Sequence, residues 1–314
     1  MATKKVYVAI CYDFDGTLAP GNMQEYGFMD ALQIDDPKKF WEKSNGLARQ
    51  HKADLNLAYM KYMIEMSQQS AVKCTDESLK KYGKSVTLFD GVEDWFGRIN
   101  KYASERGITL EHYIVSSGLR EMIMGTKIGR KFKKIYACTF MYDHNGVPFW
   151  PAVVVNFTTK TQFLFRINKG IEDDNDTAGV NKNIPESERR IPFSRMIYIG
   201  DGATDIPCMK LVKDKGGTSI AVYDPSKRKK RKESASLVSD SRVNYEARAD
   251  YSDKKQIDMI VKAVIDKIVA EAHLQKYLPK QTLSRKKEPA SRREVKEDAQ
   301  QEIDGTEESS VIQP

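Results

Sequence analysis

Two aspartates two residues apart, Asp13 and Asp15 in CYDFDGTL, stand where the apolar run VYVAI gives way to a Gly-Thr turn. Residues at i and i+2 of an extended chain project to the same side, so both carboxylates can address one site as the strand ends. Two acids so placed suit nucleophilic and general acid-base chemistry, provided their proton affinities differ. A second acidic pair lies in IYIGDGATDIP, where Asp201 and Asp205 stand four residues apart around a glycine, with Asp205 at a helix start. The segment IVSSGL presents Ser116 and Ser117 before Gly118, and Lys160 in NFTTKTQFLFRI precedes an amphipathic helical stretch. Carboxylates, hydroxyls and one ammonium thus arrive from separate segments in chain order.

The elements that must position them are legible in the apolar pattern. Residues 5 to 12, 112 to 117, 195 to 201 and 218 to 223 are short, β-prone and apolar, which predicts buried strands. Between and after them, Val92, Trp95, Phe96, Ile99 and Tyr102, then Ile257, Ile260, Val261, Val264, Ile265, Ile268 and Val269, fall at helical spacing. Strands alternating with helices predict an α/β fold, a parallel sheet with helices on both faces. In such sheets ligands bind beyond the carboxyl ends of the strands, where the acids and serines fall.

Two segments interrupt the alternation. Residues 20 to 87, with Met- and Tyr-rich stretches such as LNLAYMKYMIEM, predict an inserted helical cap whose Tyr59, Met60, Tyr62, Met63 and Met66 belong to its core. Asn145-Gly146 between two β-prone runs predicts a hairpin forming a short flap off the core. The α/β core is then expected over 1 to 19 and 88 to 274. Residues 172 to 192 lack period and predict a mobile surface loop, without the spacing of a calcium loop. The charged segment from 275 to 314 is expected to be disordered.

Composition narrows the class. Four cysteines, Cys11, Cys74, Cys138 and Cys208, show no paired spacing, and four histidines form no HExxH pattern, so neither a disulfide framework nor a helical zinc site is suggested. No apolar run reaches bilayer length and the N-terminus does not resemble a secretory signal, which points to the cytoplasm. The run Lys227 to Lys232 supplies six of the net +7 charges, so the basicity is local. Following a proline and lacking interleaved aromatics, it reads as a solvated loop, and nucleic acid is an improbable partner.

The order DxDGT, an apolar run ending in serine, a lysine, then GDGxTD resembles the haloacid dehalogenase superfamily in its phosphatase branch, and the endings VSSGL and GDGATDI look most like phosphoserine phosphatases. The resemblance covers residues 6 to 19 and 88 to about 270. It implies a Rossmann-like core and a Mg²⁺-dependent phosphomonoesterase acting on a small phosphorylated metabolite, as monomer or homodimer. Asp13 would be the nucleophile that becomes an aspartyl phosphate, and Asp15 the general acid and base. Asp13, the Asp15 backbone carbonyl and Asp201 would hold Mg²⁺, with Asp205 supporting a metal-bound water or Lys160. Ser116 and backbone amides after Asp13 would bind the phosphoryl oxygens, with Gly16, Thr17, Ser117 and Gly118 lining the same place. Lys160 would offset the charge, with Lys169 as its rival, and Ser117 is a similar rival to Ser116.

Superfamily members that cleave carbon-halogen bonds lack the second acid, so Asp15 argues against dehalogenation. Phosphomutase or nucleotidase chemistry on the same core stays open, as does a non-catalytic protein that holds nucleic acid through residues 227 to 232. Phosphoserine heads the candidate substrates, followed by a nucleoside monophosphate or sugar phosphate. One departure counts against phosphoserine: Asn22 occupies the spacing nearest to a glutamate that phosphoserine phosphatases carry, and Glu25 lies farther along.

Overall fold

The computed structural model describes residues 5 to 274 and Tyr277. The chain runs through β1 (Val6–Tyr12), a helical insertion of α1 (Gly27–Ala31), α2 (Pro37–His51), α3 (Leu55–Gln68) and α4 (Asp76–Gly83), then α5 (Val92–Ser104) and β2 (Ile108–Leu119). It continues with α6 (Arg120–Gly125), β3 (Lys134–Tyr142), β4 (Pro148–Val153), α7 (Lys160–Lys169), α8 (Thr177–Asn181) and β5 (Met196–Gly200). Last come α9 (Ile206–Asp214), β6 (Thr218–Tyr223), α10 (Arg228–Ser239), β7 (Tyr245–Arg248) and α11 (Gln256–Leu274).

The strands form one seven-stranded sheet in the order β4-β3-β2-β1-β5-β6-β7, parallel throughout except for β4. β1 lies between β2 and β5, so the strand order reverses at its edges. That arrangement opens a crevice beyond its carboxyl end, the place where open α/β sheets bind ligands. Val8 to Tyr12 are fully buried, as expected of a central parallel strand covered on both faces. The expected α/β sheet and helical insertion are both present.

Beneath the site a chain of polar groups crosses this core. Trp95 Nε1 donates to the Tyr12 hydroxyl (2.8 Å), which leaves that hydroxyl to donate to His112 Nδ1 (3.0 Å), while His112 Nε2 faces Asn100 Oδ1 (2.9 Å). Those partners select the tautomer protonated at Nε2. Burial holds the imidazole neutral, with its pKa lowered to about 3.

The insertion builds its helices with caps readable in the chain. Asp36 accepts from the Lys38 amide ahead of Pro37, and Asp54 from the Asn56 and Leu57 amides. Of the five residues expected in the core of the insertion, Tyr59, Met60 and Met63 are buried, while Tyr62 and Met66 are only partly buried.

The expected hairpin is present: β3 pairs parallel with β2, from Tyr113↔Lys134 to Leu119↔Cys138, and then antiparallel with β4. Two expectations need revision. The polar stretch 172 to 192 contains α8 and is anchored by Arg166, which donates to the carbonyls of Asp173 (2.7 Å), Asp174 (3.0 Å) and Asp176 (3.2 Å). These bonds come from a buried side chain on α7, so periodicity within the loop could not reveal them. The basic run is not a loop, since Arg228 to Lys232 form the first turns of α10. The expected charged tail, Tyr277 apart, lies outside the described residues. Among those described, no helix is long and apolar enough to cross a membrane.

Candidate active site

The strands of the crevice deliver their chemistry at or just past their carboxyl ends. β1 finishes at Tyr12 and passes Asp13 and Asp15 into a turn in which the Thr17 and Leu18 amides bond back to the Phe14 carbonyl. β2 presents Ser116 and Ser117 before its own end, β5 leads into Asp201, and β6 into Asp224. Asp13, Asp15, Gly16, Ser116, Ser117 and Asp201 line a single cavity of about 420 Å³. Its opposite wall comes from the insertion, through Asn22, Gln24, Trp41, Asn56 and Tyr59.

Lys160, the first residue of α7, is fully buried and lies 2.7 Å from Asp205 Oδ1 and 3.2 Å from Asp13 Oδ1. Burial alone would lower its proton affinity, but the charges of Asp13 and Asp205 more than offset this and hold it above the usual lysine range. Its rival Lys169 is directed elsewhere, donating to the carbonyls of Val180 and Lys182. Asp205 is also fully buried and accepts from the Tyr198 hydroxyl (2.7 Å) and the Gly202 amide (3.2 Å), so its carboxylate is committed to positioning neighbours.

The acids are strained electrostatically. Burial, then the Asp205 charge, pushes Asp13 up to about 7, against the lowering effect of Lys160. Burial and the Asp13 charge raise Asp15 well above the ordinary carboxyl range, although the Met23 amide donates to its Oδ1 (2.8 Å). Asp201 is raised by burial and Asp205 and relieved by Lys230, whose ammonium lies 3.1 Å from Asp201 Oδ2. Carboxylate oxygens of Asp13, Asp201 and Asp205 come within 4.8 Å of one another. Asp13 Oδ1 is buried without an aligned hydrogen-bond donor. A desolvated all-oxygen cluster in which Asp13 Oδ1 has the Lys160 ammonium nearby but accepts no hydrogen bond fits a hard divalent cation such as Mg²⁺.

Other expected site residues fall in two groups. Gly16, Ser116 and Ser117 face the cavity, and the Ser116 hydroxyl accepts from the Gly118 amide (3.1 Å), leaving its proton available. Ser117 Oγ is buried without a partner, and its carbonyl accepts from the Tyr59 hydroxyl (2.8 Å). Thr17 and Gly118 do not line the cavity. Thr17 is fully buried and its carbonyl accepts from Tyr251 (3.0 Å). At Gly118 a Cβ would fall 2.1 Å from Met23 Cε, so glycine there makes room for the insertion.

Lys227, Lys230, Asp224 and Trp41 also line the cavity and are not among the expected site residues. The spacing of Lys227 and Lys230, three apart after an apolar strand, was the available signal, since a helix there aims both to one side.

Comparison with known proteins bears on the family and the fold. A family model described as haloacid dehalogenase-like hydrolase matches residues 10 to 210. A protein of Borreliella burgdorferi described as uncharacterized is 29% identical over 280 residues, covering 80% of this chain and 94% of that protein. Among solved structures, a HAD family hydrolase from Salmonella enterica serovar Typhi superposes with a TM-score of 0.51 at 17% identity, covering 82% of this chain and 71% of that one. A substrate-bound phosphoserine phosphatase superposes at 0.50 and 17% identity, covering 83% of this chain and 99% of that one. These superpositions speak to the fold. With a family match over most of the sheet and all four motif segments, the chain belongs to the haloacid dehalogenase-like hydrolases.

Proposed function

We propose that the chain is a Mg²⁺-dependent phosphomonoesterase that works through an aspartyl phosphate on Asp13, with residues 1 to 19 and 88 to 274 as its core and 20 to 87 as a cap. The observation that carries this reading is the Asp13 carboxylate at the end of β1, 3.2 Å from the Lys160 ammonium and grouped with Asp201 and Asp205. Mg²⁺, held by the Asp13 and Asp201 carboxylates and the Asp15 backbone carbonyl, would neutralise phosphate charge and orient the ester for in-line displacement.

The chain's own groups account for the rest. An Asp13 carboxylate oxygen attacks phosphorus, forming one P–O bond as the ester P–O bond breaks, and the electron pair leaves with the alkoxide. Asp15, protonated because burial and Asp13 raise its proton affinity, gives its proton to that oxygen. Asp15 then takes a proton from water as the water oxygen attacks the same phosphorus, which restores the Asp13 carboxylate and releases inorganic phosphate. Ser116 donates its free hydroxyl proton to a phosphoryl oxygen, and Lys160 balances the charge on Asp13 throughout. Asp205 holds Lys160 in place.

Release of p-nitrophenol from p-nitrophenyl phosphate tests the reading. It should require Mg²⁺, cease with a chelator and be lost in Asp13→Asn. Chelator-resistant release, full activity in Asp13→Asn, or no release across a broad panel of phosphoesters would count against it.

A further inference from the structure

Six consecutive basic residues look like one surface charge, but the helix they enter divides them. All six except the half-buried Lys230 are exposed to solvent, but only Lys227 and Lys230 also line the cavity. The spacing of three places them on the α10 side that Ser234, buried against the Val222 carbonyl, turns toward the sheet. Lys230 is half-buried and bonded to Asp201. Lys227 forms an ion pair with Asp224 Oδ2 at 3.7 Å, too long for a hydrogen bond.

We propose that Lys227 and Lys230 form a subsite for a second anionic group, so that the substrate is a small monoester carrying another phosphate or a carboxylate besides the phosphoryl group it loses. This rests on the phosphomonoesterase reading. Lys230 supplies positive charge to Asp201, a carboxylate that would hold Mg²⁺, and a cation there would leave this ammonium free for an anion in the same cavity. Asp224, whose Oδ1 accepts both the Ser226 amide (2.9 Å) and hydroxyl (2.6 Å) and so shapes the turn before α10, offsets one of the two ammonium charges at most.

The opposite wall sharpens the inference. The insertion contributes Asn22, Gln24, Trp41, Asn56 and Tyr59, which are amides and aromatic rings without formal charge. Glu25, the nearest insertion acid, accepts from Asn22 Nδ2 (2.6 Å) and Trp41 Nε1 (2.8 Å) through one oxygen and does not line the cavity. No insertion carboxylate therefore awaits the ammonium of phosphoserine among the described residues. Outside the catalytic acids, two ammonium groups and one carboxylate, Asp224, line this cavity, and charge-assisted bonds to an anion are the strong contacts the surplus cation offers.

Two measurements test the subsite. The first compares kcat/KM for matched pairs: a hexose monophosphate against the hexose bisphosphate, and glycerol phosphate against phosphoglycerate. The doubly anionic member of at least one pair should be preferred about tenfold, chiefly through KM, a gap equivalent to one good charged contact. The preferred pair identifies the second group as phosphate or carboxylate. Lys227→Ala with Lys230→Ala should abolish the preference, and the corresponding arginine pair should keep it. The second is calorimetric binding of methylenediphosphonate and methylphosphonate to the Mg²⁺-loaded protein. The diphosphonate should bind about tenfold tighter, and the alanine pair should equalise the two. Hydrolysis of both pairs without preference, a preference that survives the alanine pair, or equal phosphonate affinities would overturn the subsite. Failure to hydrolyse any monoester would instead overturn the phosphomonoesterase reading, while the phosphonate titration would still decide the subsite.

Discussion

Gly16 and Asp201 approach so closely that a Cβ on Gly16 would fall 2.4 Å from Asp201 Oδ2, and Gly16 itself adopts φ +74°. Two segments far apart in the chain are thereby matched within the width of one methyl group. The turn after Asp13 exists in this form because glycine adopts left-handed backbone readily and leaves the Asp201 carboxylate room.

Gly16→Ala should therefore damage both folding and the acidic cluster. The left-handed conformation alone costs an alanine about 1–2 kcal/mol. Displacement of the Asp201 carboxylate should weaken Mg²⁺ binding about 10- to 100-fold. Urea unfolding and Mg²⁺ titration calorimetry check the two parts, and unchanged Mg²⁺ affinity would show that Asp201 is not a ligand.

Lys160→Met should be more costly than a surface lysine change. It leaves Asp13 and Asp205 buried without their counter-ion, and loss of one partner of a buried ion pair typically costs about 3–5 kcal/mol. Denaturant unfolding in the absence of metal measures this. A loss below about 1 kcal/mol, the range of exposed pairs, would contradict the buried geometry.

Asp15→Asn should separate substrates by leaving group. A positioned general acid contributes about 10²–10⁴-fold, but only where the departing oxygen needs a proton. Release of an alkoxide should fall by that range, whereas the first release of p-nitrophenol, a stable phenolate, should fall far less. Equal losses in single-turnover rates for the two substrates would remove Asp15 from the acid role.

His112 predicts an acid sensitivity unrelated to catalysis. Its folded pKa of about 3 lies below the ordinary value of 6.5, so the unfolded chain binds the extra proton first. The contribution of neutral His112 is fully present above 6.5 and is lost as pH falls toward 3, by up to about 1.4 kcal/mol per pH unit. The stability difference between wild type and His112→Gln should accordingly shrink between pH 7 and pH 5. A difference independent of pH would refute the neutral, fully bonded imidazole.

Much of the site was legible because its signals are local. The spacing of Asp13 and Asp15, the glycine between Asp201 and Asp205, and serines before Gly118 each announce a strand end within a few residues. Side-chain direction was not legible where it depends on a distant partner. The spacing of Lys227 and Lys230 put them on one side of a helix, but that this side faces the cavity was known only once α10 followed β6. The Tyr198 hydroxyl is hidden inside an apolar strand, and nothing near it in the chain indicates that it reaches Asp205. Arg166 likewise organises a segment whose own residues show no period.

The most direct test of the central claim is mass spectrometry of Asp15→Asn protein mixed with Mg²⁺ and p-nitrophenyl phosphate, acid-quenched within one turnover. Without a group to deprotonate water the second displacement slows, and the account predicts a phosphoryl group on the peptide containing Asp13, in step with the p-nitrophenol released. Release of p-nitrophenol with that peptide unmodified, or with the phosphoryl group on another residue, would contradict it.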